Sequence, residues 1–87
     1  MTVAMIALDI LKSQNFEKDT AKYSISLAQY KEDNSRFVFF VTNLENGKNN
    51  KYELGANNCV DFAFLDGPPA FEDLPKGIQE DIHAGRI

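Results

Sequence analysis

The stretch that decides the fold is RFVFFVTNLENGKNNKYEL, residues 36–54. Its first half carries Phe37, Val38, Phe39, Phe40 and Val41 without a break. Aromatic and β-branched side chains suit a pleated, packed surface, so Arg36 to Leu44 reads as a strand. Apolar residues on both faces place that strand inside a sheet with cover on each side, and helices supply such cover. At an open edge the same run would invite pairing with another chain. It is therefore either an interior strand or an interface strand. Asn46-Gly47 suits the positive φ of a type I′ hairpin turn. A two-residue turn there sets Glu45 opposite Lys48, Val41 opposite Tyr52 and Phe39 opposite Leu54. Opposite charges then meet, and apolar meets apolar across the ladder.

The reading extends outward from this hairpin. Tyr23, Ile25 and Leu27 alternate with Ser24, Ser26 and Ala28, which predicts a half-buried strand over Lys22 to Tyr30. Lys31 to Ser35 is a polar turn. Nearer the start, Ala4, Ala7, Leu8 and Leu11 recur at helical spacing, with Asp9 and Lys12 on the other side and Thr2 as a cap. A helix is expected from Val3 to about Gln14, and a strand over Val3 to Leu8 is the alternative. Asn15 to Thr20 then reads as a connection.

After a second turn at Gly55 to Asn58, Cys59 to Leu65 reads as a further strand with Val60, Phe62 and Phe64 on one face. A short helix capped by Asn57 or Asn58 is the alternative. Asp66-Gly67-Pro68-Pro69 ends that element. Asp73 as cap, Pro75 in the first turn and Leu74, Ile78 and Ile82 four apart predict a C-terminal helix that stops at Gly85. The expected fold class is α+β, one domain over residues 1–87. It consists of a three- or four-stranded antiparallel meander packed with an N-terminal and a C-terminal helix.

A chain of 87 residues buries a thin core, and here seven Phe and three Tyr supply its bulk. The lone Cys59 excludes an internal disulfide, which fits a reducing compartment. The N-terminal apolar run has no basic flank and is interrupted by Asp9. It makes a poor signal peptide and is too short to span a bilayer, so a cytoplasmic protein without membrane contact is expected. The net charge of −4 is uneven. Up to Tyr52 there are seven Lys or Arg against six Asp or Glu; from Glu53 onward there are two against seven. Such a chain is badly suited to bind nucleic acid directly by neutralising phosphates.

The raw material for catalysis is sparse. One Cys and one His allow only a Cys59–His83 pair, and no oxyanion motif surrounds Cys59. They are too few for a zinc site of the usual kind. Asp61, Asp66, Glu72 and Asp73 lack the spacing of a calcium loop, and the glycines are isolated rather than gathered into a phosphate cradle. No catalytic, cofactor or metal site is expected.

The leading expectation is thus a non-enzymatic protein-interaction domain. It would meet a basic protein surface through Asp61, Asp66, Glu72, Asp73, Glu80 and Asp81. Asn46 and Asn49 at the hairpin tip form a second surface. Such a domain can act as a small inhibitor that offers carboxylates where a basic groove expects phosphates, a role known for phage antagonists of nucleic-acid enzymes. Two alternatives stand beside it: a small enzyme or ligand-binding domain with Cys59 and His83 in a cleft, and a structural subunit forming a homodimer by strand pairing. The segment Gly67-Pro68-Pro69-Ala70-Phe71 reads as a rigid connection, with an exposed docking segment as the alternative.

Overall fold

The computed structural model describes residues 7–87, apart from the side chains of Asn58, Val60 and Asp61. Four antiparallel strands run in sequence order: β1 (Leu8–Lys18), β2 (Ala21–Tyr30), β3 (Arg36–Asn43) and β4 (Asn49–Gly55). A 3-10 turn (Ala56–Asn58), a one-turn helix α1 (Val60–Ala63), a second 3-10 turn (Phe71–Asp73) and helix α2 (Lys76–His83) follow. The meander and the C-terminal helix agree with the sequence, and β3 is an interior strand bonded to β2 and β4.

The expected N-terminal helix is not formed among the described residues. Its first residues lie outside the described part, and from Leu8 onward the chain is β1. The supposed connection at Asn15 to Thr20 is the second half of that strand and its turn. Lys18 pairs with Ala21 across a two-residue turn whose residues Asp19 and Thr20 both have positive φ, 52° and 68°. A register shift between Ile10 and Lys12 marks a bulge at Leu11. The bulge puts Ile10 with Ala28 on one face and Lys12 with Leu27 on the other. Leu8 and Leu11, three apart as in a helix, serve opposite sides of a sheet, as the alternation of a strand dictates.

The register of the central hairpin also differs from expectation. Phe39 pairs with Tyr52, Phe37 with Leu54 and Val41 with Asn50. The loop spans Leu44 to Gly47, closed by Asn43 N–H to the Lys48 carbonyl at 2.7 Å and Gly47 N–H to the Asn43 carbonyl at 2.9 Å. Asn43, a buried polar residue, directs this turn: its Oδ1 accepts from the Glu45 N–H at 2.9 Å and the Asn46 N–H at 3.4 Å. Only Gly47 in the loop has positive φ, at 76°. A shift of two residues keeps every side chain on its own face, so apolar matching cannot tell the two registers apart.

The C-terminal elements cover one face of the sheet. Ile25, Leu27, Phe39 and Val41 meet Cys59, Phe62, Leu74, Ile78, Ile82 and Ile87 in one buried cluster. Phe39 and Phe62 pack edge to face with centroids 5.2 Å apart. Cys59 to Leu65 is thus the alternative short helix, α1 with its flanking turns, rather than the expected strand, and it buries Cys59 and Phe62, three residues apart. Among the described residues no helix lies over the other face, contrary to expectation. A smaller cluster of Ala28, Tyr30 and Val38 is buried there, flanked by Leu8 and Phe40. Arg36 lies over the Tyr30 ring at 4.5 Å, and the Tyr30 hydroxyl donates to Glu53.

Candidate interaction surface

The residues singled out for partner contact fall into three groups. Asp66, Glu72, Asp73 and Glu80 are exposed on the layer that covers the sheet. Glu72 and Asp73 come together in an open cleft of about 440 Å³ between the second 3-10 turn and α2, with Asn57, Lys76 and Gln79 also on its walls. Asp73 is held there because its Oδ2 accepts from the Ala70 N–H at 3.1 Å. It caps the 3-10 turn, not α2, whose own cap is Pro75. The backbone of Asp61 belongs to α1, and its side chain lies outside the described set.

Asp81 forms the second group on its own, because it turns inward. Its Oδ2 accepts from the Tyr52 hydroxyl at 2.6 Å, and its Oδ1 pairs with Arg86 at 2.7 Å. These partners hold its carboxyl below the ordinary value of 3.8, the Tyr52 hydroxyl contributing most and Arg86 next. Burial, reinforced by Asp81, pushes the Tyr52 hydroxyl up to about 12. Asp81 is a latch between β4 and α2.

The hairpin asparagines are the third group, and their amides serve the turn. Asn46 Oδ1 accepts from the Lys48 N–H at 2.8 Å, and Asn49 Nδ2 donates to the Gly47 carbonyl at 3.3 Å.

Cys59 and His83 have separate settings. Cys59 is buried and its Sγ donates to the Gly55 carbonyl at 3.3 Å, whereas His83 is exposed in the last turn of α2. Burial alone moves the Cys59 thiol, upward to about 11, which disfavours the nucleophilic thiolate. Among the described residues no group of three or more His, Cys, Asp or Glu is arranged to hold a metal ion. Nor is any helix long and apolar enough to cross a membrane.

No family model, curated protein or solved structure matches the chain. The surface itself therefore has to carry the functional reading, and it holds one feature absent from the sequence-based expectations. At the end of the sheet nearest the β2–β3 turn is an apolar pocket of about 240 Å³, lined by Leu11, Gln29, Phe37, Ala56, Cys59, Ala63 and Phe64. Phe64 is 83% exposed and Leu11 47%. A strand reading puts Phe62 and Phe64 on the same buried face. Two residues apart in a helical turn they point about 200° apart, one inward and one outward. That contrast is the signal in the sequence that could have exposed Phe64.

Proposed function

We propose that this chain is a non-catalytic protein-interaction domain whose C-terminal layer, residues 56–87, docks on a basic protein surface. The observation that supports it is the placement of charge. Residues 1–55 contain seven acidic and seven basic side chains, while residues 56–87 contain six against two. The entire net charge of −4 thus belongs to the layer laid over one face of a neutral sheet. A charge serving solubility alone has no reason to gather on one side. Of the ion pairs among the described residues, Arg86–Asp81 alone falls in this layer. Asp66, Glu72, Asp73 and Glu80 are left to project their charge outward. Such a field steers a cationic partner into encounter and repels acidic ones, with a reach of about 8 Å at physiological salt. On a nucleic-acid enzyme the same carboxylates would occupy a groove meant for phosphates, and the domain would inhibit it.

The test uses the immobilised protein beside a variant with Asp66→Asn, Glu72→Gln, Asp73→Asn and Glu80→Gln. These changes remove charge and keep the cap acceptor at position 73. The expected result is a protein retained from host lysate at 50 mM NaCl, released by 300 mM NaCl, and lost by the variant. Equal retention by the two proteins, or no retained protein, overturns the proposal.

A further inference from the structure

We infer that the pocket between Phe37 and Phe64 receives one bulky apolar side chain of the partner, presented on a segment with flanking Lys or Arg; this rests on the acidic-layer reading above. Three observations carry it. The pocket, about 240 Å³, is smaller than the range of about 300–1,000 Å³ usual for small-molecule sites, and it suits a single Leu, Phe or Trp side chain. Its rim holds two of the large exposed hydrophobics of the described residues, Phe64 at 83% and Leu11 at 47%. Exposed aromatics beside a pocket are the usual energetic centre of a protein interface. The flanking charge follows from position, because Ala56, Cys59, Ala63 and Phe64 form the wall contributed by the acidic layer. A second copy of the chain would bring another net −4 against the first. A cationic segment meets complementary charge instead.

The floor of the pocket explains why it stays open. The extra residue of the β1 bulge puts Leu11 at its edge, while Lys12, on the same face, lies over the Phe62 ring at 5.9 Å and its ammonium donates to the Leu65 carbonyl. The small side chains of Ala56 and Ala63 leave the space that a larger residue would fill.

Amide chemical-shift titration of the full chain tests this. The probes are seven-residue peptides with Phe, Leu or Trp at the centre and two Lys-Arg pairs around it, with a central-Ala control and a Glu-flanked control. Expected are saturable shifts at Leu11, Phe37, Ala63 and Phe64. Affinity should fall at least tenfold for the central-Ala peptide and for Phe64→Ala, a change at an exposed site that leaves the fold intact. Absence of saturable shifts with all three cationic peptides overturns the inference, as does equal binding of the Glu-flanked peptide. Pocket shifts that depend on protein concentration without peptide, together with a dimer in sedimentation, also overturn it and assign the pocket to a second copy. The four-carboxylate variant separates the two readings. If it binds the cationic peptides as well as the parent protein does while Phe64→Ala does not, the acidic layer is dispensable and the pocket stands.

Discussion

Thr20 occupies a conformation that its side chain resists. A β-branched residue at φ 68° meets its own backbone, at a cost of about 1–2 kcal/mol for a left-handed L-residue. The two-residue turn between Lys18 and Ala21 requires positive φ at both of its positions, so the strain is imposed by the hairpin. Glycine removes the clash but gains about 0.5–1 kcal/mol of freedom when unfolded. Thr20→Gly should therefore stabilise the protein by about 0.5–1 kcal/mol, read as a higher urea midpoint at unchanged slope. A lower midpoint would show that the threonine makes contacts worth more than its strain. Tyr52 and Asp81 set a second expectation, in pH. The carboxyl of Asp81 is lowered in the fold, first by the Tyr52 hydroxyl and then by Arg86. Its contribution is therefore complete above the ordinary value of 3.8 and fades as pH falls through the lowered one. The Tyr52 hydroxyl is raised from 10.0 to about 12, so its contribution is complete below 10 and fades between 10 and 12. Tyr52→Phe should flatten the stability profile at both ends, checked by urea midpoints from pH 2 to 12. Parallel profiles for the two proteins would mean that the latch contributes nothing.

At the scale of elements, the β3–β4 hairpin shows what side-chain patterning decides and what it leaves open. Alternation set Phe39, Val41, Tyr52 and Leu54 together on one face, and they do share a face, the one that the C-terminal elements cover. The register is set by Asn43, which caps the Glu45 and Asn46 N–H groups and also donates from Nδ2 to the Ile87 carbonyl at 3.4 Å. Asn43→Ala leaves buried polar groups unpaired, at an expected cost of about 2 kcal/mol. Asn46→Ala, at an exposed loop position, should cost under about 1 kcal/mol. Chemical denaturation of the two variants compares them, and an equal or reversed order would return control of the turn to Asn46-Gly47. The contrast explains what was legible. Strong periodicity in β2 and α2, and the unbroken apolar run of β3, report burial directly, because those elements press a continuous apolar face on the core. β1 misled because apolar residues at 4, 7, 8 and 11 fall at a helical spacing, while a one-residue bulge at Leu11 breaks the period of two that would have marked a strand. The segment from Cys59 to Leu65 misled because a single helical turn is too short to show a period. With it went the exposed Phe64 and the pocket it borders. The acidic candidates were legible as composition, but only the fold shows that Asp81 is turned inward and that Asp73 is bound to a cap.

The whole molecule is a neutral sheet carrying a charged lid, and the two halves should answer salt in opposite ways. Four ion pairs on the sheet half are exposed, and pairs of that kind are worth about 0–1 kcal/mol each. Screening weakens them slightly. In the lid, six carboxylates share two basic residues, so screening relieves repulsion. The shorter reach of charge at 0.15 M than at 0.01 M, about 8 Å against 30 Å, should favour the second effect. The urea midpoint of the parent protein is therefore expected to rise over that range, by the equivalent of about 0.5 kcal/mol. The variant lacking charge at positions 66, 72, 73 and 80 should show no rise. A falling midpoint in the parent would mean that the sheet's ion pairs outweigh the lid. The sign matters for function as well as for stability. If the lid is a docking surface, added salt strengthens the fold while it weakens partner binding. Loss of binding in 0.3 M NaCl then cannot be ascribed to unfolding, because the same salt makes the domain harder to unfold.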